Sequence, residues 1–162
     1  MDFETLYTDY SADVFRFAFW LSGEKNEAED ITSETFVRAW SRSEKIRTDT
    51  LKAYLFTIAR NRHLENIRKG KYHTDLMDTH IDSSPGPDTV TESRLELQRV
   101  FKVIKTLPET ERTAFIMRTG HGLSYEEISR ALEISLSSAK VKVHRARKKL
   151  IVDRLKKEER GS

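Results

Sequence analysis

The sequence predicts an all-α protein built as two small helical domains joined by a flexible linker. Apolar residues recur at the three-and-four spacing of amphipathic helices, and no segment shows the alternation of a half-buried strand. Two of the three prolines fall in "PGP", inside "YHTDLMDTHIDSSPGPDTVTES", a stretch with few large apolar groups. A chain of 162 residues suits one domain or two small ones. These observations put a first domain at 1–70, a linker at 71–93 and a second domain at 94–155. A linker of about 20 residues reaches roughly 65–70 Å when extended, so the domains are free to sit far apart.

The first helix is read from "DFETLYTDYSADVFRFAFWLSG", with Phe3, Leu6, Tyr7, Tyr10, Val14, Phe17, Ala18 and Leu21 on one side and Gly23 as its stop. "NEAEDITSETFVRAW" is a second helix, its acids near the start where the helix end is positive. After the polar "SRSEKIRTDT", the third helix "LKAYLFTIARNRHLENIRKGK" turns basic toward its C-terminus. Helical spacing resumes at Arg94 through Leu95, Leu97, Val100, Phe101 and Ile104, with Pro108 as the first residue of the next helix.

Composition excludes several functions. With no cysteine there is no disulfide, thiol catalysis or thiolate metal site. No segment approaches the ~18 apolar residues of a membrane span. The acidic start lacks the layout of a signal peptide, and a cytoplasmic protein is expected. No nucleotide-binding loop or nucleophile–base pair is present, and His63, His73, His80, His121 and His144 lack ligand spacing. The acids of the second helix have no histidine near them in sequence. Neither catalytic residues, cofactor nor metal are therefore expected.

Charge is unevenly distributed around a net +3. Residues 1–44 carry 4 basic and 10 acidic groups, a net −6, and residues 45–72 carry 8 and 2, a net +6. Residues 136–162 carry 10 and 3, a net +7. Two separated basic blocks suit a polyanion contacted twice.

"LSYEEISRALEISLSSAKVKVHRARKKL" divides into helix, turn and helix. Ser124 and Glu127 form a capping box, and Ser135 caps the second helix. Leu136, Ala139, Val143, Ala146 and Leu150 fall within a stripe roughly 80° wide, which must be buried. The opposite face is Ser137, Ser138, Val141, His144, Arg145 and Lys148, while Lys140, Lys142, Arg147 and Lys149 flank it. No acid stands between Leu136 and Leu150, unlike an ordinary solvated helix. Donors and a small apolar group in the centre, with cations at both edges, suit a helix in a DNA major groove.

The segment from "LPETERTAF" to "VHRARKKL" resembles the promoter-binding C-terminal domain, region 4, of bacterial extracytoplasmic-function sigma factors. "EAEDITSETFVRAW" and "AYLFTIARNRHLENIRK" resemble the other domain of that family, region 2. The likeness implies a non-enzymatic factor that joins core RNA polymerase and directs it to promoters. Asp30, Ser33 and Glu34 match the positions that dock on the clamp helices of the largest polymerase subunit. Lys45, Ile46 and Arg47, in the loop before the third helix, together with Asn61 and Arg62 match the −10 readers; Arg60, Arg68 and Lys69 are further phosphate candidates. Lys140, Val141, His144 and Arg145 match the −35 readers, and Ser138, Lys142, Arg147 and Lys149 the backbone contacts. The resemblance also implies an anti-sigma partner lodged between the domains. Two departures stand out: Glu133 occupies a turn where the family usually has Gly, and Val141 replaces a small polar residue. The competing reading is a conventional helix-turn-helix regulator whose first domain senses a ligand.

Overall fold

The computed structural model describes residues 2–42, 51–70 and 88–161. They form α1 (Phe3–Ser22), α2 (Lys25–Ser41), α3 (Leu51–Arg68), α4 (Asp88–Thr106) and α5 (Glu109–Phe115). A π-helical turn (Ile116–Gly120), α6 (Tyr125–Leu132) and α7 (Leu136–Arg160) complete the order, and the described residues contain no strand. The all-helical expectation holds. Helix α4 opens at Asp88, inside the segment read as linker. Its first turns lack the apolar spacing that marks a helix in sequence. Pro108 is the N-cap of α5 rather than its first residue, because its ψ of 148° is extended.

Local chemistry explains the helix ends. Asp2 caps α1 by accepting from the Thr5 amide at 2.8 Å. Gly23 ends it in the left-handed region, φ 74°, donating its N–H to the Phe19 carbonyl. A side chain at position 23 would be strained there, and its Cβ would also come within 3.1 Å of the Phe101 ring. Glu24 opens α2 by accepting from the amides of Asn26 and Glu27.

In the first domain, α1, α2 and α3 bury Val14, Phe17, Leu21, Ile31, Phe36, Leu55 and Phe56. Phe17 and Phe56 stack at 4.3 Å with their planes 2° apart. Truncating either to Ala would cost about 3–5 kcal/mol, from lost apolar burial and the cavity left behind. The second domain closes Ile104, Leu107, Ala114, Met117, Leu123, Ile128, Ala139 and Val143 around α5 and α7.

The two domains do not sit apart, and one apolar core runs through both. The Phe101 ring stacks on Trp20 at 4.6 Å and meets Phe19 edge-on. Lys105 Nζ donates to the Ser22 carbonyl at 3.1 Å, and Arg112 donates to the Leu21 carbonyl at 3.3 Å. The π turn widens the chain after α5, so that the Leu123 amide reaches the Met117 carbonyl. His121, which follows it, meets Phe56 and Phe17 edge-on at 4.7 and 6.0 Å. Beside this junction lies an apolar cleft of about 330 Å³, lined by Trp20, Leu97, Val100, Ile104 and Phe115, with Arg16, Thr119 and His121 as its polar side chains.

Candidate nucleic-acid and polymerase interfaces

The helix-turn-helix is α6 and α7. Both halves of the Ser124–Glu127 capping box are formed, at 3.2 and 3.1 Å. Glu133 turns the chain in the left-handed region, φ 55° and ψ 47°, the position at which Gly was expected. It is the one non-glycine residue with positive φ among the described residues. Ser135 then caps α7 through the Ser138 amide at 3.0 Å.

Ala139, Val143 and Ala146 are fully buried against the domain, and Leu150 is half-buried. Leu136, in the first turn of α7 and expected in the buried stripe, is exposed instead. With that stripe fixed, the opposite face points outward: Val141, His144, Arg145 and Lys148 are exposed, as are Lys140, Arg147 and Lys149 on the flanks. Ser138 and Lys142 are half-buried. Val141 is 44% exposed between two lysines, an apolar group presented to solvent at the middle of the face. The guanidinium of Arg118 stacks over the Tyr125 ring at 4.4 Å, and Lys140 Nζ lies 6.0 Å from the same ring. That aromatic positions cations at the edge of the face.

On the first domain, Asn61 is exposed on α3, as are Arg68 and Lys69 near its end. Lys45, Ile46 and Arg47 lie outside the described residues. Arg62 is engaged within the protein: its guanidinium donates to Asp30 at 3.3 Å and lies 3.5 Å from Glu65. Arg38 holds the other side of Glu65 at 3.0 and 3.2 Å and also reaches Glu34 at 3.0 Å. A ribbon of alternating charge, Asp30–Arg62–Glu65–Arg38–Glu34, thus crosses from α2 to α3. The hydrogen bond from Arg38 holds the Glu65 carboxyl below its ordinary pKa, and the Glu65 hydrogen bond raises that of Arg38. Of the docking positions, Ser33 is exposed while Asp30 and Glu34 are half-buried ends of this ribbon.

Beneath the ribbon lies a pair that sequence reasoning missed. Glu27, four-fifths of a turn before Asp30 on α2, is buried and accepts from His63 Nδ1 at 2.5 Å. A glutamate in a first helical turn reads as a solvated residue suited to the helix dipole. Its histidine lies 36 residues away in the chain, so no local signal marks the pair. The bond ties α2 to α3 one turn from the positions expected to dock. The described residues contain no group of three or more His, Cys, Asp or Glu side chains placed to hold a metal ion. None of their helices is long and apolar enough to cross a membrane.

Arg60, another cation proposed for phosphate, is held by the second domain. Its guanidinium makes two hydrogen bonds to the Glu109 carboxylate, at 2.7 and 2.9 Å. Burial pushes the Glu109 carboxyl up, but Arg60, with Thr113 and Thr110, outweighs this and keeps it below its ordinary value.

Comparison with known proteins agrees with this architecture. Residues 6–72 match the model of sigma-70 region 2, and residues 97–150 match that of sigma-70 region 4. The chain is 30% identical over 152 residues to the ECF RNA polymerase sigma factor SigM of Bacillus subtilis, covering 93% of each chain. It is 31% identical over 155 residues to the ECF RNA polymerase sigma factor SigE of Mycolicibacterium smegmatis, of whose length it spans 59%. Among solved structures it resembles the sigma factor RpoE of Bartonella quintana, crystallised with the anti-sigma factor NepR. That likeness has a TM-score of 0.72 at 27% identity and covers 92% of this chain and 94% of that one. CnrH, solved with the cytosolic domain of CnrY, shares the fold at a TM-score of 0.68 and 23% identity, over 93% and 85% of the two chains. Residues 6–72, where the regulator reading places a sensing domain, match region 2 instead. With both regions in order and relatives at this level of identity, the chain belongs to the extracytoplasmic-function group of sigma-70 family RNA polymerase sigma factors.

Proposed function

We propose that the chain joins core RNA polymerase and directs it to promoters with two separated elements. Helix α7 reads the −35 element in the major groove. In this reading Arg145 meets a guanine edge and Val141 a thymine methyl, while Lys140 and His144 complete the readout and Ser138, Lys142, Arg147 and Lys149 hold the backbone. Asn61, with Lys45, Ile46 and Arg47 of the preceding loop, reads an unstacked base of the −10 element, whose extrusion costs a few kcal/mol that the pocket must return. Arg62 serves that site once it is released from Asp30. Asp30, Ser33 and Glu34 dock on the polymerase clamp helices, where charge complementarity favours the rate and specificity of encounter. The factor carries no catalytic group of its own and acts in the cytoplasm, where its polymerase works. An anti-sigma protein is its natural inhibitor, and the cleft between the domains is the fitting place for one.

One observation carries this reading: α7 buries Ala139, Val143 and Ala146 and turns outward a face of cations around Val141, His144 and Arg145, with no acid between Leu136 and Leu150. The test is co-elution with core RNA polymerase, set beside binding to duplex DNA by the free chain. A sigma factor elutes with core enzyme and gains promoter affinity only there. Tight sequence-specific binding by the free chain, without co-elution, would restore the regulator reading.

A further inference from the structure

The two halves of α3 are anchored differently. The first half lies in the apolar core through Leu55, Phe56, Ile58 and Ala59. Beyond Ala59 the buried residues of the helix are His63 and Asn66, both polar, while Leu64 is half-buried and Ile67 is 54% exposed. This second half carries Asn61 and Arg62, and polar contacts to α2 hold it: His63 to Glu27, Arg62 and Asn66 to Asp30, and Glu65 to Arg38. Of these contacts, the His63–Glu27 pair is the one buried on both sides, its side chains 4% and 2% exposed.

Stability alone does not account for these residue types. An acid and an imidazole lose hydration on burial, and well-packed apolar residues of similar volume are often as stable or more so. His63 Nε2 and Asn66 Oδ1 are also buried with no hydrogen-bond partner among the described residues, a further penalty that Leu at either place would avoid. What a buried hydrogen bond adds over apolar contact is direction. Apolar packing is non-directional, and cores that rely on it lose uniqueness before they lose stability. His63 Nδ1 donating to Glu27 Oε2 at 2.5 Å instead selects one register of α3 on α2. Asn61 stands two residues before His63, about 200° round the helix, so pinning one side inward fixes what the other side presents.

We propose that Glu27 and His63 are positioning residues for promoter recognition. The buried pair sets the rotation and height of the second half of α3, and through it the placement of Asn61 against the unstacked −10 base. Both side chains are buried, so neither touches DNA itself. The proposal rests on the assignment of Asn61 to the −10 element. A recognition group must be held within about half an ångström of its productive place. Stacking and edge hydrogen bonds offset the extrusion of the base, and a turn of α3 weakens both.

The test is transcription by the full chain with core RNA polymerase, in which a promoter competes with the same promoter changed at one −10 base. A matched pair changed in the −35 element is the control. The double variant Glu27→Met with His63→Leu replaces the pair by apolar groups of similar size, so helical content and unfolding temperature should stay close to the parent. Either single change strands a buried polar group and lowers the unfolding temperature. In the double variant −10 preference should fall about fivefold, the effect of one edge hydrogen bond, with −35 preference unchanged. Asn61→Ala should also lose −10 preference. If the folded double variant keeps that preference while Asn61→Ala loses it, the positioning role is overturned and the −10 reading survives. If Asn61→Ala keeps it, both fall. Equal loss at the two elements, or a double variant that melts with the single ones, would reduce the pair to a structural role and likewise overturn the proposal.

Discussion

Arg60 of α3 and Glu109 of α5 are joined by two hydrogen bonds across the boundary between the two domains, with side chains 15% and 24% exposed. A carboxylate of the region 4 domain thus occupies the guanidinium of Arg60 in the region 2 domain, a residue proposed from sequence as a phosphate contact. Closure of the domains and availability of Arg60 are alternatives. Charge-assisted bidentate pairs contribute about 1–3 kcal/mol, and partial exposure puts this one toward the low end. Glu109→Gln should shift the chain toward a more extended form in small-angle scattering, and Arg60→Glu with Glu109→Arg should restore the compact one. Unchanged profiles in Glu109→Gln and Arg60→Ala would remove the pair from any role in closure.

The same junction responds to pH. Burial against Phe17 and Phe56 lowers the pKa of His121 to about 4; Lys52 and Arg16 add to the effect and Asp13 opposes it. An unfolded histidine titrates near 6.5. The neutral ring therefore stabilises the closed form fully above pH ~6.5, and this contribution is lost as pH falls through about 4. Glu109, its carboxyl held below the ordinary value, acts in the same direction at the acid end of that range. Stability measured by chemical unfolding should decline between pH ~6.5 and ~4, and His121→Leu should flatten the upper part of the decline. A His121 ring that titrates near 6.5 by NMR would contradict the buried neutral state.

At Glu133 the backbone is left-handed, which costs a residue with a Cβ about 1–2 kcal/mol. Glycine removes that cost but loses more entropy on folding. Glu133→Gly is therefore expected to stabilise the protein by a net ~0.5–1 kcal/mol, visible as a higher unfolding temperature. A neutral or lower value would mean that the Glu133 side chain makes compensating contacts.

Arg145 and Lys149 sit on different parts of α7, the first on the outward face and the second on its edge. Arg145→Ala should cost ~1–3 kcal/mol in −35 affinity and relax preference at one base pair. Lys149→Ala should weaken all sequences about equally and reduce the salt slope of binding by about one. Equal behaviour of the two variants across base substitutions would show that Arg145 reads no base.

Much of this fold was legible because helices announce themselves through spacing. The stripe Ala139–Val143–Ala146 marks in the sequence alone which side of α7 faces out, and the caps at Ser124 and Ser135 mark where α6 and α7 begin. Legibility failed wherever the deciding partner was distant in sequence. Nothing near Glu27 points to His63, nothing near Arg60 points to Glu109, and the linker length left free to sit far apart two domains that the Phe101–Trp20 and His121–Phe56 contacts bring together. Phe3 and Tyr7, expected in the core, are exposed for a different reason, since periodicity identifies an apolar side but cannot say whether the protein itself covers it.

The most direct measurement is transcription reconstituted with core RNA polymerase on pooled genomic DNA, with the parent chain, Arg145→Ala and Asn61→Ala. A promoter-directing factor with two reading surfaces gives discrete start sites that share two spaced elements. Arg145→Ala should lose discrimination at the upstream element and Asn61→Ala at the downstream one. Start sites that appear without the chain, or that survive both substitutions with their sequence preferences intact, would contradict it.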